Sequence, residues 1–266
     1  MAPALDDLRA LVTAYAAQAL AAIRQSFADR TNFALQVGAM AVNNGFWLVL
    51  WFLFFAGFKE VGGWRLPDVA RLLGIVYVLF GASGVFFGGY RDLAGSILTG
   101  AIDALLTQPK PILLRLLARD SIPSAWGDIA TGLVILAFSA GLDPAAAGLS
   151  LAAILIGTAA WLATTTIFAS LAFWAAGARS LSRDLADFTL LVSTYPASIY
   201  SGWTKFVAFT VLPAGFVAMA PVELVRAPSW QAAAIAVGGA GAYAAVALGV
   251  WTLGLARYRR GAAVAG

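Results

Sequence analysis

Residues 31–58 read TNFALQVGAMAVNNGFWLVLWFLFFAGF, 28 positions without a charged side chain. An α-helix rises about 1.5 Å per residue, so this run is longer than the ~20 apolar residues that cross a bilayer core of about 30 Å. In lipid each backbone N–H and C=O must find its partner inside the chain, and for an isolated run of this length that means a helix. The stretch predicts a membrane-spanning helix.

Working outward, residues 72–90 supply 19 more uncharged positions, 144–178 supply 35 and 227–256 supply 30. Residues 121–142 form another span if Asp128 is tolerated within it. The composition agrees: of 266 residues 61% are hydrophobic and 11% charged, against about 45–50% and about 25% in a soluble domain. Such a chain has too little polar surface to cover a core in water. The fold class expected is an all-α integral membrane protein. With no cysteine and no histidine, disulfides, thiolate nucleophiles, Zn–Cys and Zn–His sites and every His-based general base are excluded. No catalytic or metal-binding residue is expected. The net charge of +4 is a topology signal in such a chain and does not point to nucleic acid.

The span count turns on residues 188–222, FTLLVSTYPASIYSGWTKFVAFTVLPAGFVAMAPV. As one helix this stretch would run about 52 Å. As two full spans it would bring the total to seven and carry Arg257, Arg259 and Arg260 to the outer side. Six spans with both ends cytoplasmic place 12 of the 17 basic residues inside and leave only Lys59, Arg65, Arg71, Lys205 and Arg226 outside, as the positive-inside rule favours. The expected spans are about 32–58, 69–90, 121–142, 147–177, 187–204 and 231–256. Residues 205–226 dip into the outer leaflet and return. Re-entrant backbone persists only against protein or water, so this segment, with Glu223, marks a functional face.

Residues 1–30 do not resemble a signal peptide, because Asp6, Asp7 and Arg9 stand where its apolar run would begin. Leu5, Leu8, Val12, Tyr15, Ala19, Ile23 and Phe27 recur at steps of three or four, the pattern of an amphipathic helix in the membrane interface or docked on another subunit.

Between spans two and three the sequence reads YRDLAGSILTGAIDALLTQPKPILLRLLARD, residues 90–120. Leu93, Ile97, Ile102, Leu105 and Leu106 make an apolar face, with Arg91, Asp92, Ser96, Thr99 and Asp103 polar. A helix here ends by Gln108, because Pro109 and Pro111 cannot continue it. Arg115 and Arg119 then stand at headgroup level. In ARSLSRDLADFTLL, residues 178–191, Leu181, Leu185 and Phe188 share a face while Arg179, Arg183, Asp184 and Asp187 are polar. Two such segments, about 91–107 and 179–188, either cover the bundle or make a two-point docking surface for a soluble partner.

The chain has no G-x-x-x-x-G-K-[ST] loop, so it does not bind ATP by that route. Asp128 is the only acid well inside a span; it serves either as a structural group or as a relay of an ion-coupled carrier. Gly81, Gly84, Gly88 and Gly89, and Gly238, Gly241 and Gly249, are suited to close helix approach. The aromatics of 46–55 are read as lipid-facing or interfacial rather than as a pathway lining.

The pattern G-x-x-D-x-L-L-x-x-P, here Gly100, Asp103, Leu105, Leu106 and Pro109, resembles that of small six-span permeases of the ABC-2 type. Tyr195 and Pro196, then Pro213, Ala214 and Phe216, then Pro221 resemble a second stretch of the same branch. This resemblance covers essentially the whole chain. It implies an interfacial N-terminal helix, cytoplasmic coupling helices and re-entrant helices between spans five and six. It also implies that two permease chains, alike or different, form a pathway driven by two copies of a separate ABC ATPase, which holds the ATP and Mg; no cofactor is expected in this chain. On that reading Arg91, Asp92, Asp103, Arg183 and Asp184 contact the ATPase, and Tyr195, Pro196, Pro213, Phe216, Pro221 and Glu223 belong to the re-entrant gate. The setting implied is a bacterial inner membrane, with export of a drug, lipid or glycolipid. A stand-alone ion-coupled carrier using Asp128, or a scaffold subunit, are the alternatives.

Overall fold

The structure, a computed structural model, describes residues 2–108, 111–140 and 143–265, without the side chains of 2–8, 140 and 262–265. The described residues contain helices and no strand. In chain order these are α1 (Ala2–Ser26), α2 (Arg30–Gly57), α3 (Leu66–Phe87), α4 (Leu93–Leu98), α5 (Asp103–Leu106) and α6 (Ile112–Leu117). They continue with α7 (Ala125–Ala140), α8 (Pro144–Ser170), α9 (Ala178–Ser193), α10 (Gly202–Thr210), α11 (Ala220–Arg226) and α12 (Trp230–Ala265).

Local chemistry sets several of the boundaries. Asp29 caps α2 by accepting from Asn32 N, and Asp143 caps α8 by accepting from Ala145 N and Ala146 N. Pro144 then opens α8, at the first turn where its missing N–H costs nothing. Before α3, Val61 and Trp64 pair across Gly62 and Gly63, both at positive φ, in a tight turn.

α2, α3, α8 and α12 are long and apolar enough to cross a membrane, and a fifth crossing exists if α10 and the segment Gly215–Arg226, inclined at 79° to each other, count as one. Six continuous spans are not found among the described residues. α7 has 16 residues, about 24 Å. The expected span 187–204 is no single helix: α9 begins at Ala178, absorbs the segment 179–188 expected to stand apart as a coupling helix, and ends at Ser193. Pro196 cannot donate to a helix, and its ring biases Tyr195 out of helical geometry.

α3 is the hub. Its most apolar stretch is 83% buried, against 11% for α2, 33% for α8 and 17% for α12. Leu72, Leu73, Ile75, Val76 and Leu79 are fully enclosed. α7 lies along α3 at backbone contact: a Cβ on Gly81 would stand 2.6 Å from Ile129 Cγ1 and 2.8 Å from the Ala125 carbonyl oxygen. Gly84 meets Ala125 in the same way. Gly238, Gly241 and Gly249 of α12 have nothing near them, so the close-approach role expected of them passes to other positions; Gly239 packs on Phe216 and Gly254 on Phe173. Phe46 and Phe52 are exposed as lipid-facing rings are, but Trp51 is buried.

α1 is fastened to the bundle. Tyr15 Oη donates to the Phe86 carbonyl at 2.7 Å and Gln18 Nε2 to the Arg115 carbonyl at 2.8 Å. Its packed face carries Tyr15, Gln18, Ala19 and Ala22, while Val12, expected on the apolar face, is exposed; Leu5 and Leu8 lie outside the described side chains.

Gly81→Val is expected to destabilise the bundle by about 1–3 kcal/mol through overpacking against α7, seen as a lower thermal unfolding midpoint in detergent. Gly249→Val, with open space around it, is expected to leave the midpoint unchanged.

Candidate functional site

One end of the bundle gathers arginines from distant parts of the chain. After α3 the backbone tightens into a 3-10 turn, Gly88–Asp92, which brings Asp92 against the start of α9. Asp92 then accepts a two-pronged pair from Arg179, Nε to Oδ1 at 2.9 Å and Nη2 to Oδ2 at 2.8 Å. Arg183 Nη2 adds a bond to Oδ1 at 2.8 Å. The planar guanidinium fork matches a carboxylate in this way. Three charges, one from the 3-10 turn and two from the first turns of α9, form one clasp.

The segment 91–107, expected as one amphipathic helix, is broken. α4 is buried through Leu93, Ala94 and Ile97, and continues the direction of α3 closely enough for 66–98 to count as one span. Gly100, at φ +72°, then reverses the chain, a conformation that glycine adopts without the clash a Cβ would bring. Only α5 beyond it has no buried residue. Asp103 is exposed, its N–H bonding Gly100 O at 2.9 Å. Its Oδ1 accepts from Tyr258 Oη of α12 at 2.8 Å. Leu105 and Leu106 lie half-buried against the cluster around Leu93, Ile102 and Trp251. Gln108 accepts from Arg115. Pro109 lies outside the described residues.

The residues expected to contact a partner therefore divide. Asp92 accepts from both Arg179 and Arg183 within the chain, and Arg183 remains exposed. Arg91 and Asp184 are exposed and form no ion pair among the described residues. Asp103 is exposed but tied to α12.

A cavity of about 360 Å³ opens between the 3-10 turn, α8 and α9, lined by Tyr90, Arg91, Trp161, Thr165, Arg183 and Asp187 among others. Deeper, a second of about 150 Å³ lies among α2, α3, α7 and α9. There Asn44, 2% exposed, donates Nδ2 to Asp128 Oδ1 at 2.7 Å, and Tyr77 Oη reaches the Asn44 carbonyl at 3.4 Å. Asp128 sits one turn into α7. Asn44 was not singled out from the sequence, although the pair Asn43–Asn44 is the polar interruption of an otherwise apolar run.

The residues expected at a re-entrant gate are spread over the segment that follows α9. Tyr195 stands edge-on to Trp47 and Trp51, with ring centroids 6.0 and 5.9 Å away. Pro213 is buried at the bend between α10 and the π-helical turn Gly215–Met219. Phe216 packs on Phe209 and Tyr243. Tyr243 Oη donates to the Phe209 and Thr210 carbonyls, pinning the end of α10 to α12. Pro221 lies buried in the first turn of α11. Glu223 pairs with Arg226 at 3.3 Å. Arg226 also lies 4.8 Å over the Trp64 ring and donates to the Gly63 carbonyl, so α11 is closed onto the turn before α3. Pro196 is buried between α9 and the 3-10 turn Ala197–Ile199.

A helical bundle built on one enclosed hub, with a bent helix pair at one end and a charged clasp at the other, is the architecture of a multi-pass membrane protein. The chain belongs to the ABC-2 family of transporter proteins, which it matches over residues 41–261. No curated protein and no solved structure matches it.

Asp92→Ala is expected to release Arg179 and Arg183 together. The pairs are exposed and worth at most about 0.5–1 kcal/mol, so hydrogen exchange over 178–186 should accelerate about two- to fivefold while α8 exchanges as before.

Proposed function

We propose that this permease is the membrane subunit of an ATP-driven exporter. Two permease chains, identical or different, enclose the pathway, and two copies of a separate ATPase dock on the arginine-rich end. That end faces the cytoplasm together with both chain termini, in a bacterial inner membrane. ATP and Mg belong to the ATPase. The cargo is hydrophobic or amphipathic, of the kind represented by drugs, lipids and glycolipids.

The Asp92 clasp carries this reading. A docking subunit has to move several spans at once, and a flexible loop transmits no push. The clasp joins the end of the α3–α4 column to the first turns of α9, and the Tyr258–Asp103 bond adds α12 at the exposed helix α5. A force applied to α5, or to the exposed Arg91 and Asp184, is thereby delivered to three columns. The Arg226–Glu223–Trp64 contacts at the opposite end support a gate that stays shut until the columns shift.

Asp103→Arg is expected to insert and fold normally yet to lose at least tenfold of ATPase-coupled transport in vesicles. Normal transport by this variant would remove α5 from the coupling surface. Purification of the tagged chain from its native membrane, with the bound proteins identified by mass spectrometry, should recover a soluble ATPase; repeated recovery of the permease alone would overturn the exporter reading.

A further inference from the structure

The smaller cavity holds polar groups that the coupling clasp does not use. Asp128 Oδ1 is taken by Asn44, while Oδ2 has no hydrogen-bond partner among the described residues. Asn44 carries no proton that it can relay, so this is no chain of acids. Arg91 lines the cavity and stands within electrostatic reach of Asp128 without closing an ion pair. The lining includes the aromatic residues Trp47, Tyr77, Phe80 and Tyr90, with Asn43, Ser124 and Thr194 as further polar groups.

An ionised carboxylate in a low-dielectric site needs a cation, and ring faces attract cations through their quadrupoles. An anionic head would meet Asp128 directly; an uncharged one would leave it uncompensated. The 150 Å³ suit a head the size of a trimethylammonium group, since drug-sized ligands fill about 300–1,000 Å³. The 360 Å³ cavity shares Tyr90, Arg91 and Leu190 with the smaller one. Beside the charged groups of Asp92, Arg179, Arg183 and Asp187 it is lined by Trp161, Ala169, Ala186 and Leu190, which can take an apolar body.

We propose that these two adjoining cavities bind an amphiphilic organic cation, a protonated amine or quaternary ammonium, with its charged head between Asp128 and the surrounding rings and its apolar body toward α8 and α9. Arg91, exposed and lining both cavities, is then the cation that the ligand displaces from the field of Asp128. The site names the cargo class for the exporter reading and rests on it only for the step from binding to transport.

The test uses the full chain in nanodiscs of zwitterionic lipid, without ATPase, and labelled benzyltrimethylammonium as probe. Saturable binding near one per chain is expected, displaced at least tenfold more weakly by neopentylbenzene, its uncharged carbon isostere. Asp128→Asn should lose at least tenfold in affinity, Asp128→Glu should retain most of it, and Arg91→Gln should bind several-fold tighter. Equal displacement by the neutral isostere, absence of saturable binding, or unchanged affinity in Asp128→Asn would overturn the proposal. Should Asp128→Asn fail to fold, the isostere ratio and Arg91→Gln decide. Intact binding in a chain that recruits no ATPase would sink the exporter reading and leave the site standing.

Discussion

Lipid tails are as apolar as leucine, so burial of apolar surface gives membrane helices little reason to associate; they hold together where backbones come close enough for dense van der Waals contact. The seam between α3 and α7 meets that requirement. Gly81 and Gly84 on one side face Ala125 and Ile129 on the other at distances no side chain would permit. Among the long apolar helices the seam makes α3 the one enclosed along most of its length, and it fixes where α7 begins. Asp128 thereby comes opposite Asn44, and the smaller cavity is a consequence of how closely the two helices pack.

The two ends of the bundle are closed by different means. At the arginine-rich end Asp92 serves two guanidinium groups at once, so opening it releases two restraints together. At the opposite end Arg226 is shared among Glu223, the Gly63 carbonyl and the Trp64 ring. Between them run the spans, with α9 too short and too charged at its start to act as an ordinary crossing. It is anchored by the clasp at one end, is followed by Pro196 at the other, and lines both cavities through Leu190.

Much of this was legible in the chain. The runs 31–58, 72–90, 144–178 and 227–256 needed only their length and lack of charge to be recognised as helices in lipid. The bend within 205–226 was signalled by Pro213, whereas the expected span 187–204 ran through Pro196 and the helix stops at Ser193. Other features were hidden. Gly100 stood inside a good amphipathic period, and nothing in that period says that the chain turns there; its positive φ depends on α5 packing back under Trp251 and Tyr258. The glycines of α12 looked as suitable for close contact as those of α3, yet three of them face open space, because helix packing selects a face and composition does not.

What the sequence by itself determined is the class: helical, membrane-spanning, without a nucleotide loop, a thiol or an imidazole, and patterned like an ABC-2 permease. These are properties of consecutive residues, set by a 3.6-residue period and by the energy of a charge in hydrocarbon. The tertiary structure alone decided which charges meet. Asp92 finds its arginines 87 and 91 residues away, and Asn44 finds Asp128 at a separation of 84. Such pairs are chosen by the packing of whole helices, and for that reason residues expected to reach for a partner protein turned out to hold one another.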